Sequence, residues 1–186
     1  MGKCVSCGRT IAFGGIKEGD RQFCGKPCRD RAHLNSASAQ LPDEFVLEKA
    51  HEVHSSACPK CGGAGPVDLH TSYTVWSAGV LTRWGHKSEV CCRACGRNAK
   101  LKAIAFSGLL GWWGFPWGLL MTPAQLIRNV GGIVKGHDPS RPSDKLVELV
   151  RKNLSARLIA EDRQQQAAAV ASERLAKQVD GTSRAG

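Results

Sequence analysis

Hydrophobic and polar positions change rhythm several times along this chain. Near the start, Ile11-Ala12-Phe13 and Arg21-Gln22-Phe23 flank a turn rich in Gly and Asp (Gly14, Gly15, Gly19, Asp20), a pattern that predicts two short strands folded into a hairpin. Arg29-Asp30-Arg31-Ala32-His33 has helix-forming character, and Glu44 to His54 predicts a short polar helix. Val67, Leu69, Thr71, Tyr73 and Val75 then alternate with other residues. With a turn at Ser77-Ala78-Gly79 and a return through Val80-Leu81-Thr82-Arg83-Trp84, they predict a second hairpin. From Ala103 to Ile127, 25 consecutive residues carry no formal charge. Beyond the proline-marked linker His137 to Pro142, Ser143 can cap a helix whose apolar stripe is Leu146, Leu149, Val150, Leu154, Leu158 and Ile159. The stripe thins after Arg163, and Asp180 to Gly186 is expected to fray.

Cysteine placement changes this picture most. All nine cysteines lie in the first 95 residues, and the start Met1-Gly2-Lys3-Cys4 shows no apolar signal region, so reduced thiols in a cytoplasm are expected. Thiols at these spacings favour metal ligation over disulfides. Cys4-Val5-Ser6-Cys7-Gly8 has the form of a knuckle, in which two thiolates reach one ion and Gly8 lets the backbone turn towards them. Its partners are Cys24 and Cys28, the latter at the start of the predicted helix, where the local dipole favours a thiolate. CxxC, a hairpin and then Phe-Cys-x3-Cys opening a helix resembles a treble-clef finger of the FC-x3-C type over about thirty residues. Free or redox-sensing thiols are the bland alternative.

Cys58-Pro59-Lys60-Cys61-Gly62-Gly63 is a second knuckle, and Cys92-Arg93-Ala94-Cys95-Gly96 repeats its form. Two knuckles facing each other across a small sheet make a zinc ribbon, here with the second hairpin inserted between them. The mirror between the two Cys-x2-Cys-Gly strings leaves Cys91 as the spare, either a small buried hydrophobe or a labile thiol. His51, His54, His70 and His86 are not needed as ligands, because two Cys4 sets are complete without them. Cys58 to Gly65 also fits CxxCxGxG, which resembles one repeat of the cysteine-rich zinc centre of DnaJ-type chaperones; only one copy is present.

The uncharged run contains Phe106, Leu109, Leu110, Trp112, Trp113, Phe115, Trp117, Leu119 and Leu120, which are the expected membrane-contacting residues. As one helix it would reach about 37 Å, enough for a transmembrane helix. Gly111, Gly114, Pro116 and Gly118 interrupt it, so a helical hairpin is the more economical shape: one arm from about Lys100 to Gly111, a Trp-rich turn, and a second arm from about Trp117 to Val134. Arg93, Arg97, Lys100 and Lys102 precede the run and Arg128, Lys135 and Arg141 follow it, placing both ends on the positive, cytoplasmic side. Burial against a protein partner and a self-contained core are the competing readings. The block from Cys58 to Val134, ending in Gly-Trp-Trp-Gly-Phe-Pro-Trp-Gly, resembles a group of mostly bacterial proteins that join a zinc ribbon to an apolar Trp-rich segment. That resemblance implies zinc binding and membrane association.

The expected fold is therefore a set of small zinc-stabilised α+β modules: a treble-clef-like finger (1–33), a helical linker (34–55), a zinc ribbon with inserted hairpin (56–100), an apolar membrane-associated helical hairpin (101–136), and a linker with an amphipathic C-terminal helix (137–186). Two structural Zn²⁺ ions at Cys4, Cys7, Cys24, Cys28 and at Cys58, Cys61, Cys92, Cys95 are its expected cofactors. The formal charge of +10 falls to about +6 once eight thiolates and two zinc ions are included, and the basic residues are dispersed, a weak nucleic-acid signal. No residue set marks catalysis or a small-molecule substrate, since closed Cys4 sites leave zinc no open position. The sequence points to a non-catalytic adaptor at the inner face of the cytoplasmic membrane with a protein partner. A zinc-ribbon nucleic-acid binder, using Arg83, Lys87 and Arg93 to Lys102 beside Tyr73, Trp76 and Trp84, is the first alternative. A thiol-redox or DnaJ-like module is the second.

Overall fold

The computed structural model describes residues 2–183, with side chains described to residue 172. The chain divides into two compact units, Met1–Phe45 with Leu149–Gly186, and Val46–Glu148.

The first unit is built on two short antiparallel ribbons, β1 (Gly2–Lys3) with β2 (Thr10–Ile11) and β3 (Ile16–Glu18) with β4 (Arg21–Phe23), followed by helix α1 (Lys26–Ala39). Strand pairing stops at Ile11, leaving Phe13 exposed, and the expected hairpin of Ile11–Phe13 with Arg21–Phe23 does not form: β2 pairs with β1 and β4 with β3. Cys4, Ile11 and Phe23 form the buried centre, with Ile16, Cys28 and Ala32 packed against it. So small a core cannot alone stabilise a fold of this length. Helix α1 starts after Gly25 with Pro27 in its first turn, where a missing N–H costs nothing. Later in the chain, Arg151 donates to the Ser38 and Leu41 carbonyls and pairs with Asp43, tying the C-terminal helix to the end of α1. That helix, α5, runs unbroken over Asp144–Ser183. The segment Asp180 to Gly186, where fraying is expected, is helical as far as Ser183, and 184–186 lie outside the described residues.

In the second unit, β5 (Val67–Ala78) and β6 (Leu81–Cys92) make one long antiparallel ribbon in register from Val67↔Cys92 to Ala78↔Leu81. Helix α2 (Asp43–Ser55) leads into it, and α3 (Arg93–Leu110) and α4 (Trp117–Lys135) follow, packing on each other and along β5. Helix α3 begins at Arg93, seven residues before the arm start expected at Lys100. No helix among the described residues is long and apolar enough to cross a membrane, which corrects the transmembrane-helix expectation. The physical reason is that α3 carries Arg93, Arg97, Lys100 and Lys102, while α4 starts only after the Gly/Pro-rich turn and carries Arg128 and Lys135.

The two faces of α3 and α4 are reversed relative to an ordinary surface helix. Lys100, Ser107, Thr122, Gln125 and Asn129 are buried, and the large apolar residues point outwards. The cause lies in what the helices cover. One edge of β5 pairs with β6; the other would leave peptide groups without partners, a costly state when buried. Helix side chains fill that edge. Asn129 accepts from the Tyr73 N–H (2.9 Å) and donates to its carbonyl (2.7 Å), reproducing the pair of bonds a third strand would supply. Ser107 Oγ accepts from the Val75 N–H (3.0 Å). Past the strand, the Gly79 N–H reaches the Trp113 carbonyl (3.0 Å). Near the other end, His54 Nδ1 donates to the Val67 carbonyl (2.7 Å) and His137 Nε2 to that of Leu69 (3.2 Å).

Candidate metal centres and an outward-facing apolar surface

Each unit holds one four-cysteine group. In both groups, Cys4, Cys7, Cys24, Cys28 and Cys58, Cys61, Cys92, Cys95, the sulfur atoms all lie within 4.8 Å of one another. Four thiolates at a Zn–S distance of about 2.3 Å sit at the corners of a tetrahedron whose edge is about 3.8 Å. The Cys7–Cys24 and Cys61–Cys92 sulfur pairs are each 3.8 Å apart, and Cys24–Cys28 is 3.4 Å. Both groups are thus compatible with a tetrahedral zinc ion.

The same backbone builds the first half of each site. Cys4 N–H donates to the Arg9 carbonyl (2.9 Å) and Gly8 N–H to the Cys4 carbonyl (2.8 Å). In the second unit, Cys58 N–H donates to Gly63 (2.8 Å) and Gly62 N–H to Cys58 (2.8 Å). Gly8 and Gly62 hold φ of 70° and 69°, a left-handed conformation that disfavours any side chain. The second halves also agree with each other, and here the structure departs from the sequence reading. Cys92 caps α3 and Cys95 lies in its first turn, as Cys28 does in α1. Cys92–Gly96 is therefore not a second knuckle, and the second site has the knuckle, hairpin and helix order of the first in place of two facing knuckles. Gly96 serves a different need: a Cβ there would fall 2.3 Å from the His70 ring, so only glycine lets α3 lie this close to β5.

Electrostatics differ among the four sulfurs of a site. Backbone N–H groups, chiefly that of Cys24, bring the Cys4 thiol down to about 6, and the Cys92 N–H, 3.3 Å from the sulfur, is the main cause of the same shift in Cys58. Hydrogen bonding from neighbouring cysteines, first Cys28 for Cys24 and Cys92 for Cys95, pushes those two thiols up to about 12. Each cluster readily holds one thiolate and resists further negative charge, a conflict that a divalent cation removes. Lys60, inside the second knuckle, pairs with Glu89 of β6, which also meets Lys87 at 2.9 Å; the two lysines hold the Glu89 carboxyl below its ordinary value. Cys91 stands outside both groups, fully buried, and burial raises its thiol. Neither group includes a histidine.

All nine residues expected to contact a membrane are exposed. Leu109 is 73% exposed, Trp113 71% and Phe115 76%, with Phe106, Leu110, Trp112, Trp117, Leu119 and Leu120 also open. Leu101 of α3 and Ile127, Val130 and Val134 of α4 are exposed as well, a set the sequence reading did not single out. At the turn, a Cβ on Gly114 would meet Ser77 and Thr82 at 2.6 Å and 2.5 Å, so the glycines of Gly-Trp-Trp-Gly-Phe-Pro-Trp-Gly let the turn sit on the ribbon while its rings face away. The basic residues considered for nucleic acid separate: Arg93, Arg97 and Lys100 line one cavity, and Lys87 and Lys102 line another. No protein-family model, curated protein or solved structure matches this chain.

Proposed function

We propose that this chain is a non-catalytic zinc protein that attaches to a membrane through the outer surface of α3 and α4 and presents its Cys4 units to a protein partner, at the inner face of the cytoplasmic membrane. The observation that carries the membrane half is the reversed amphipathicity of the helical pair. Turning the apolar face inwards would strip Asn129 and Ser107 from the β5 edge, at about 1–3 kcal/mol for each buried peptide group left unpaired. The apolar surface is thus held outwards and needs cover from another molecule. Its indoles suit the headgroup boundary, and Lys102, Arg128 and Lys135 flank it as they would beside anionic lipid.

For the metal half, tetrathiolate sites at tetrahedral spacing support structural zinc: four sulfurs close the ion's coordination and leave no position for an activated water. That supports a stabilising role for the ions and argues against hydrolytic chemistry.

The test is vesicle flotation of the full chain together with zinc quantification. The expected result is two zinc ions per chain and co-flotation with vesicles. The triple variant Leu109→Gln, Trp113→Gln, Leu120→Gln should abolish flotation while leaving zinc content and melting temperature unchanged, because these side chains are already in solvent. Wild-type protein that stays with the soluble fraction would remove the membrane assignment, and a chain without metal would remove the zinc assignment.

A further inference from the structure

At the open end of the α3–α4 pair, remote in sequence from the Trp-rich turn, lies a cavity of about 380 Å³ lined by His70, Arg93, Arg97, Lys100 and the backbone around Gly132 and Gly136. That volume falls in the lower part of the range small ligands occupy. Arg93, Arg97 and Lys100 follow one another at i, i+4 and i+7, which puts all three on one face of α3. No carboxylate lines the cavity, and none of the three forms an ion pair among the described residues. Asp68, the acidic neighbour of His70, is already engaged by the Ser143 hydroxyl (2.6 Å) and the Ser143 and Leu69 N–H groups.

Lys100 distinguishes this cluster from ordinary surface charge. It is 6% exposed, and among the described residues its ammonium donates to one group, the Gly132 carbonyl at 2.7 Å. An ammonium has three donors, so a buried one with a single acceptor keeps capacity for an anion. The arginines bring planar forks suited to bidentate contact with phosphate oxygens. Gly132 and Gly136 keep the opposite wall low: a Cβ on either would stand 2.9 Å from Lys100 Nζ or 3.4 Å from Arg93 Nη2.

We infer that this cavity binds a phosphate group, held by the Arg93 and Arg97 guanidinium groups and the Lys100 ammonium. Two sources share that chemistry, a free phosphate or phosphomonoester and the headgroup of an anionic lipid. The exposed Leu101 and Val134 directly follow the cavity-lining Lys100 and Ile133 in the chain, so a bilayer resting on the apolar residues of α3 and α4 would bring headgroups near the cavity. The anion site itself does not depend on the membrane proposal.

The experiment uses the full-length, zinc-loaded chain and calorimetric titration with inorganic phosphate. Saturable binding is expected, weakened about a hundredfold or more in Arg93→Gln/Arg97→Gln, the loss of two charge-assisted contacts. Both arginines are solvent-exposed, so this variant keeps its melting temperature and zinc content even where Lys100→Met does not. Arg83→Gln, on β6, should bind phosphate as wild type does. Flotation on phosphatidylcholine vesicles with and without phosphatidic acid separates the sources. A gain with phosphatidic acid that the double variant lacks identifies the lipid headgroup, and saturable phosphate binding without that gain identifies a free phosphate. Absence of saturable phosphate binding, or equal binding by the double variant, overturns the site. Flotation on phosphatidylcholine alone reports on the apolar surface and leaves the two proposals separable.

Discussion

His70 shows how one side chain connects packing to solution behaviour. It is 8% exposed, packs against Gly96, and meets His137 in a tilted ring contact with centroids 4.8 Å apart. Burial, with His137 and Lys100 nearby, lowers its pKa from 6.5 to about 4, and Asp68 opposes the shift only weakly. The folded chain therefore stays neutral at His70 while the unfolded chain gains a proton as pH falls below 6.5. Stability from this group is intact above pH 6.5 and declines towards pH 4, by on the order of 3 kcal/mol if the whole shift is expressed. Denaturant melts of wild type and His70→Gln between pH 7 and 5 check this, since acid loss of metal affects both proteins alike. Wild type should lose stability more steeply than the variant; parallel curves would refute the assignment.

Among the elements, the α3–α4 pair is understood through the strand it covers. Ser107 of α3 and Asn129 of α4 read as surface residues by composition, yet they meet peptide groups of β5 that no strand pairs. Asn129→Ala should therefore cost about 2–4 kcal/mol, because it leaves both the N–H and the carbonyl of the half-buried Tyr73 without their partner. Thermal or urea unfolding measures it. Substitutions on the outer face of the same helix, such as Ile127→Gln, should change stability by less than about 0.5 kcal/mol. Equal costs on the two faces would show that the edge-capping account is wrong.

Across the whole molecule, the two Cys4 groups belong to separate units with similar local architecture and small buried cores. Cys7→Ser and Cys61→Ser should each reduce bound zinc from two ions to one. Elemental analysis gives the stoichiometry, and trypsin should then cleave preferentially within the unit whose site was broken. Cys91→Ala should keep both ions, because its sulfur lies outside both tetrahedra. A single substitution that released both ions would argue for one cooperative metal-binding body.

The grouping of the cysteines was legible from spacing, because thiols brought to one point must be close in the chain or carried by a turn and a helix start. Cys4, Cys7, Cys24, Cys28 and Cys58, Cys61, Cys92, Cys95 could be grouped on that basis, with Cys91 left over. The paired strands of the second hairpin followed from period-two alternation, and the break between α3 and α4 from Gly and Pro. The string Cys-x2-Cys-Gly misled at Cys92, since a knuckle and a helix start use the same letters and only the path of the following backbone separates them. Gly96 was glycine for the sake of the His70 ring, a contact between residues 26 positions apart. Nor could periodicity tell which side of α3 and α4 faces inwards: that depended on the unpaired edge of β5, whose need for hydrogen bonds exists only after the ribbon has formed.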